Sequence, residues 1–115
     1  MFTFQEMDEK HSEVLQRCSD YLIKNMIPQR IMDKLYSVKI LTNDDVMRLK
    51  NQATDNDRNR LLVVEMLPKA GPEAFSSLVK ALEDSEQQYV AKYLREQLNK
   101  GTPTRYNNKS ELTLR

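Results

Sequence analysis

The sequence predicts an all-α, six-helix antiparallel bundle, and three observations support that fold class. Hydrophobic residues make up 39% and charged residues 30%, with only two glycines and four prolines, a balance typical of helical domains. Six helix starts can be identified, and apolar residues recur with the 3.6-residue period of a helix. The 115 residues suffice for one domain with a substantial core and are too few for two.

Four of the predicted helix starts match the capping box, in which a hydroxyl residue and an acid or amide three positions later satisfy free backbone N–H groups. These four begin at Thr3, Thr42, Thr54 and Ser85. Proline is favoured in a first helical turn, so Pro28 and Pro72 supply two further starts. Only short connections separate the six segments, which predicts antiparallel packing of successive helices.

Five of the six segments carry one apolar stripe and one polar face, as expected for helices on the outside of a bundle. In chain order the stripes are Val14, Leu15, Cys18, Tyr21 and Leu22; Ile31, Leu35 and Val38; Val46, Leu49 and Ala53; Phe75, Leu78, Val79 and Leu82; and Val90, Tyr93, Leu94 and Leu98. The fourth segment is apolar almost all round between residues 61 and 67, so it is predicted to run through the middle of the bundle.

The stretch "MLPKAGPEAF", residues 66 to 75, separates two of these helices. Pro68 lacks an N–H donor, Gly71 permits a left-handed backbone, and Pro72 is pre-set for a new first turn. The stretch is therefore predicted to be a tight corner. We assign residues 1–98 to the bundle and the polar, basic residues 99–115 to a flexible tail or interdomain linker.

Charge and composition argue against several classes of function. The net charge of +1 divides into +3 on residues 99–115 and about −2 on the rest, so the body lacks the basic footprint of a nucleic-acid binder. The longest apolar run, 61–64, is far too short for a membrane span. Cys18 is the only cysteine, which fits a reducing compartment and therefore a cytoplasmic or nuclear location, of which we expect the cytoplasm. We expect neither nucleic-acid nor membrane partners.

Residue types that commonly act in catalysis are few in this sequence, which has one histidine and one cysteine. The single histidine, His11, lies seven residues from Cys18, about 10 Å along a straight helix, which is too far for a direct base and nucleophile pair. Acids cluster near predicted helix starts, at Asp44, Asp45, Asp55 and Asp57. Their interaction with the helix dipole explains them without a cation. We predict no catalytic residue, metal or cofactor; a small enzyme or cation-binding domain stays an alternative, tested by a calcium or zinc thermal shift.

Charges of opposite sign fall on different helices. Basic residues of the first and fourth predicted helices are Arg17, Lys24, Arg58 and Arg60, and acids of the second and third are Asp33, Asp44 and Asp45. If each pair of helices forms a separate surface, the basic surface of one copy could dock on the acidic surface of another in a repeating head-to-tail contact. The alternative is a solvated surface of mixed charge.

Three stretches resemble one known family, the caspase recruitment domain of the death-domain superfamily. "KILTNDDVMRL" at 39–49 resembles the family's "GxLT" turn and acidic helix start. "LPKAGPEAF" at 67–75 is similar to its L-P-x-R-G-P-x-A-F corner, and "LEDSEQQYVAKYL" at 82–94 is similar to the passage between its fifth and sixth helices. The resemblance covers about residues 8–98 and is closest to initiator-caspase and adaptor domains. It implies a Greek-key death fold and homotypic association without catalysis.

The resemblance also implies two kinds of contact. The first pairs basic residues of the first and fourth helices with acids of the second and third. Arg60 matches a family basic position, Arg17 lies beside the helix-one position occupied here by Ser19, and Ala70 replaces the arginine before the corner glycine. A second contact uses the corner between the fourth and fifth helices, with Glu65 and Lys69, together with the sixth helix. The predicted partner-binding residues are Arg17, Arg58, Arg60, Asp33, Asp44, Asp45, Glu65 and Lys69.

From these observations we expect a protein-interaction module that recruits or assembles initiator caspase or adaptor complexes in apoptotic or related signalling. The expected partner is another caspase recruitment domain protein: a caspase, an adaptor, an apoptosome-type scaffold or a second copy. Whether the chain is a caspase prodomain or an adaptor stays open. The alternative is a self-associating scaffold of the same fold that forms filaments without a protease partner, which assembly in the absence of a partner would reveal.

Overall fold

A computed structural model describes residues 7–100, which form seven α-helices and no strand. The helices are α1 (Glu9–Arg17), α2 (Ser19–Asn25), α3 (Pro28–Ser37), α4 (Asn43–Lys50), α5 (Asp55–Arg60), α6 (Ala74–Asp84) and α7 (Gln88–Lys100). A π-helical segment, Leu61–Met66, continues α5 without a break, and a 3-10 turn, Leu67–Lys69, follows it. The all-α prediction is confirmed.

The first predicted helix is divided in two at Cys18. Its backbone there leaves the helical region, with φ −96° and ψ 4°, although its N–H still bonds to the carbonyl of Val14 at 2.9 Å. The hydroxyl of Ser19 donates to the carbonyl of Gln16 at 2.9 Å. Such side-chain bonds compete with the helical ladder and bend it. The predicted six helices are therefore seven, because α1 and α2 are two halves of one bent helix.

Three of the predicted helix starts are confirmed. Thr42 begins α4 with both halves of a capping box, since its hydroxyl accepts from the N–H of Asp45 at 3.1 Å and its own N–H donates to that carboxylate at 3.0 Å. The hydroxyl of Thr54 accepts from the N–H of Asp57 at 3.0 Å at the start of α5. Pro28 is the first residue of α3. Local capping chemistry therefore set these three boundaries.

Two other predicted starts are wrong. Ser85 ends α6 instead of beginning the next helix, because its hydroxyl donates back to the carbonyl of Ala81 at 2.7 Å, and α7 begins at Gln88. Pro72 lies in a turn two residues before α6 begins at Ala74. The Thr3 start lies outside the described residues. The first helix described begins at Glu9 and is capped by Asp8.

The corner at 66–75 is tight, as its sequence predicts, although Pro72 does not begin the next helix. The 3-10 turn closes the fourth predicted helix around Pro68, and Gly71 has φ +111°, in the region that L-residues avoid. The carbonyl of Pro68 accepts a hydrogen bond from the N–H of Met7 at 3.4 Å. The corner is therefore also the place where the start of the described chain is attached to the bundle.

Apolar side chains from six of the seven α-helices and from the π-helical segment meet in one core, to which α5 contributes none. The fully buried leucines and isoleucine are Leu15, Leu22, Ile31, Leu35, Leu49, Leu62, Leu67, Leu78, Leu82 and Leu94. The π segment is central as predicted, and four of its six residues are buried: Leu61, Leu62, Val63 and Met66. Val64, which is 55% exposed, and Glu65 face outward. The prediction was wrong for two residues of the apolar stripes, Val38 and Ala53, which are exposed. Both lie beyond the ends of their helices, because α3 ends at Ser37 and α4 at Lys50.

The packing order is that of a death-fold bundle. Helices distant in the chain pack together, since α2 contacts α5, α3 contacts α6, and α1 contacts both α7 and the π segment. The bundle is therefore not a simple succession of antiparallel sequence neighbours, as the short connections alone suggested. No helix within residues 7–100 has the length and apolar character needed to cross a bilayer.

Candidate protein-interaction surfaces

The first and fourth predicted helices lie side by side, because α2 packs against both α5 and the π segment and α1 packs against the π segment. Arg17 ends α1 and is exposed, with one Nη donating to the carbonyl of Gln97 on α7 at 3.3 Å. Arg60 ends α5 with 59% of its side chain exposed and its guanidinium 3.7 Å from Asp57. Each of these two predicted basic residues therefore has only a weak internal contact. We call the two exposed residues Arg17 and Arg60 the basic surface.

Arg58 has a different environment. Its side chain is only 26% exposed, and the guanidinium donates to the carbonyls of Leu49 at 3.1 Å and Gln52 at 3.0 Å and to the carboxylate of Asp55 at 2.8 Å. These bonds attach the end of α4 to the start of α5. Its predicted contact with a partner stays a prediction; in the isolated domain Arg58 fixes the angle between two helices.

The predicted acids also differ from one another. Asp33 on α3 and Asp44 on α4 are exposed, and neither forms an ion pair within residues 7–100. The carboxylate of Asp45 is held by the N–H of Thr42 in the capping box. We call the face carrying Asp33 and Asp44 the acidic surface. A shallow groove lined by Asp33 also includes Lys50 and Arg58, so the two signs of charge meet along this edge.

The corner residues join a second groove, between the start of α4 and the 3-10 turn. Glu65 lies 3.7 Å from Arg48 of α4, in an exposed ion pair that links the π segment to α4. The residues that line the groove are Lys39, Ile40, Thr42, Asp45, Arg48, Glu65, Met66, Lys69 and Ala70. The structure therefore brings together three residues, Asp45, Glu65 and Lys69, that were predicted for two separate contacts. We call this the corner groove.

Sequence analysis missed Asn59, a fully buried polar residue of α5. Its amide Nδ2 donates to the carbonyls of Ile23 at 2.9 Å and Met26 at 3.0 Å, at the end of α2. Carbonyls of a last helical turn lack intrahelical partners, so this amide satisfies groups that would otherwise be buried alone. The signal was present: Asn59 shares one helical stripe with Leu62 and Met66, which are buried.

Gln87 was missed as well and is 1% exposed. Its Oε1 accepts from the N–H of Ile27 at 2.8 Å, while its Nε2 donates to the hydroxyl of Ser85 at 3.0 Å and the carbonyl of Ile27 at 3.3 Å. One side chain thus attaches the α6–α7 connection to the α2–α3 connection. Its position in a polar run, "SEQQ", gave no sign of burial.

The two residues considered for catalysis are packed apart from each other. The ring of His11 stacks on Phe75, with centroids 4.6 Å apart and planes 8° apart. Cys18 is buried in the core, and burial raises the pKa of its thiol, with a smaller opposing effect from the Arg17 charge. Within residues 7–100, no three His, Cys, Asp or Glu side chains converge as metal ligands would.

Comparison with known proteins agrees with this architecture. A family model of the caspase recruitment domain matches residues 12–97. The chain is also similar to caspase-2 of Gallus gallus, with 26% identity over 88 residues that cover 76% of this chain and 20% of that protein. The chain spans about a fifth of the length of that curated relative. Because the family model matches most of its length, this chain belongs to the caspase recruitment domain family, non-catalytic modules that bind other domains of the same family.

Proposed function

We propose that this domain recruits a caspase or adaptor carrying another caspase recruitment domain, in apoptotic or related signalling in the cytoplasm. In this mechanism the basic surface, Arg17 and Arg60, contacts acids of the partner, and the acidic surface, Asp33 and Asp44, accepts the partner's basic residues. The observation that supports it is the exposure of these four charges, none of which is held by a strong internal partner. The similarity to caspase-2 supports the link to a protease.

The energetic cost of making this contact is small. Arg60 has to leave only an exposed ion pair with Asp57 at 3.7 Å, and such pairs contribute about 0.2–1 kcal/mol. Asp33 and Asp44 lose no ion pair within the described residues. Exposed charges of this kind mainly set specificity and association rate. Several weak contacts repeated around an oligomer would then supply avidity.

Arg58 and Asp45 have a supporting role in this proposal. Each uses its charged group inside the domain, Arg58 across the α4–α5 connection and Asp45 in the cap of α4. Replacing either would change the angle or the start of α4, which carries Asp44. Loss of binding in an Arg58 or Asp45 variant would therefore not identify a direct contact, and Arg60 and Asp44 are the informative positions.

The test is size-exclusion chromatography with light scattering across a concentration series. The samples are the wild type, Arg60→Glu, Asp44→Lys and an equimolar mixture of the two variants, with Lys92→Glu at an exposed position of α7 as a control whose charge change equals that of Arg60→Glu. If the wild type assembles, we expect each variant alone to be monomeric, their mixture to form a limited complex through the one intact pair of surfaces, and the control to match the wild type.

A wild type that is monomeric alone is then titrated with candidate caspase and adaptor domains, and Arg60→Glu or Asp44→Lys should lose binding to the partner found. Filaments of the wild type alone would instead favour the scaffold function over the recruiter. Assembly or binding that is indifferent to both substitutions would overturn the proposed surfaces, because an interface built on these charges cannot survive their reversal.

A further inference from the structure

Two residues within 7–100 other than glycine have positive φ, Lys39 and Glu86, each at +67°. Both stand one position beyond a helix C-cap, Lys39 after α3 and Glu86 after α6. After α3, the N–H of Lys39 bonds to the carbonyl of Tyr36 at 3.0 Å and that of Ile40 to Leu35 at 2.9 Å, which is the Schellman arrangement. Glycine is the usual residue at this position because it has no Cβ to strain the backbone.

The same backbone position therefore carries a charged side chain at both helix ends, against the usual preference. For Glu86 the structure supplies a reason, because its carboxylate lies 3.6 Å from the guanidinium of Arg30, which also donates to the carbonyl of Ser85 at 3.3 Å. Lys39 forms no ion pair within the described residues. Residues other than glycine in the left-handed region cluster at binding sites, which makes Lys39 a candidate contact.

Lys39 lines the corner groove together with Lys69. The other charges of that groove are already engaged: Arg48 pairs with Glu65 at 3.7 Å, and the carboxylate of Asp45 is held by the N–H of Thr42 at 3.0 Å. Two lysine ammonium groups thus remain without a carboxylate partner in the described part of the chain. With Arg48 on the positive side and the carboxylates of Asp45 and Glu65 on the negative side, these lysines leave the corner groove with a net charge of +1, which favours a negatively charged ligand surface.

We infer that the corner groove binds the acidic row of α1, Glu9 and Glu13, of a second copy of this chain. These two acids are four residues apart on one exposed helical face, and neither forms an ion pair within residues 7–100. They are independent of Asp33 and Asp44, which belong to the acidic surface. The inference rests on the homotypic binding proposed above but uses none of the residues of that contact. Because Glu13 precedes Arg17 by one turn of α1, the groove lysines are the positions that separate the two contacts.

The decisive variant is Lys39→Gly, because it separates binding from folding. Glycine relieves the positive φ, so the urea midpoint of unfolding should stay the same or rise, while self-association measured by sedimentation velocity at low salt should weaken about two- to fivefold, as expected for one exposed charge pair. Glu86→Gly is the matched control: it relieves the same strain outside the groove and should leave self-association unchanged.

Reversing the charges on each side of the contact tests whether Glu9 and Glu13 are the residues that the groove lysines bind. Lys39→Glu combined with Lys69→Glu should abolish this contact, as should Glu9→Lys combined with Glu13→Lys, and mixing the two double variants should restore association. The inference is overturned if Lys39→Gly and Glu86→Gly associate equally, if the mixture stays dissociated, or if the wild type is monomeric at every concentration. Loss of association in Arg60→Glu with none in the lysine variants would refute the corner groove and leave the proposed function standing.

Discussion

Replacing Asn59 by alanine should destabilise the domain far more than replacing Asn56, the other asparagine of α5. The amide of Asn59 is fully buried and supplies the hydrogen bonds from Nδ2 to the carbonyls of Ile23 and Met26, at 2.9 and 3.0 Å. The Met26 carbonyl lies just beyond α2 and the Ile23 carbonyl in its last turn, where no further helical N–H groups are available. Alanine would leave both acceptors without this donor.

The magnitude follows from those two bonds. Each buried hydrogen bond contributes about 0.5–1.5 kcal/mol net, and the lost side-chain volume adds roughly 1 kcal/mol, which gives a decrease of about 3 kcal/mol in the free energy of unfolding. The Oδ1 of Asn59 is buried without a hydrogen-bond partner, and its removal offsets a small part of that loss. For a domain of this size, 1 kcal/mol corresponds to roughly 4 °C or more, so Tm should fall by at least about 10 °C.

The assay is urea unfolding followed by helical circular dichroism, with Asn56→Ala as the matched control. Asn56 lies on the exposed face of the same helix, so both variants share the gain in helix propensity and differ in the buried bonds. A difference between the two variants below about 1 kcal/mol would refute the reasoning, because it would mean that water or a local shift replaces the Asn59 amide at little cost.

Two further predictions concern buried polar and ionisable groups. Gln87→Ala should lower the free energy of unfolding by about 2 kcal/mol in urea titrations, because it removes the acceptor of the Ile27 N–H, whereas alanine at the exposed neighbour Gln88 should change it by less than about 0.5 kcal/mol. Burial raises the pKa of the Cys18 thiol in the folded state above its value in the unfolded state. The thiol therefore contributes fully to stability below the ordinary thiol pKa of about 8.5, and this contribution is lost as the pH rises towards the folded pKa. The stability of the wild type should therefore decline more steeply above about pH 8.5 than that of Cys18→Ala, and parallel pH curves would contradict this reading.

The sequence predicted the helices best where the signal was local. Capping at Thr42 and Thr54, the proline start at Pro28 and the left-handed Gly71 each involve residues within a few positions of one another, and all four are confirmed. The same kind of local pattern failed at Ser85. The hydroxyl of Ser85 can accept from an N–H at the start of a following helix or donate to a carbonyl at the end of the preceding one. Because the chain turns at Glu86, where φ is +67°, the hydroxyl bonds to Ala81 of the preceding helix.

The candidate surfaces were predictable only in part. The sequence showed which helices carry which charge, but it could not show which charged side chains bind partners within the domain. Arg58 and Arg60 are two residues apart and identical in type, yet one makes three internal hydrogen-bonded contacts and the other only an exposed ion pair. Nor could spacing show that Lys39 and Lys69, thirty residues apart, line one groove.

By itself the sequence determined that this chain is helical, where three of its helices begin, which faces are apolar and that a tight corner precedes α6, because each depends on backbone preferences and periodicity within a few residues. Tertiary structure alone decided which helices pack together, that Asn59 and Gln87 are buried hydrogen-bonding links, and which surface charges remain open to a partner. These outcomes depend on groups distant in the chain, Asn59 with Ile23 or Gln87 with Ile27, and a residue's environment exists only once the fold has brought such groups into contact.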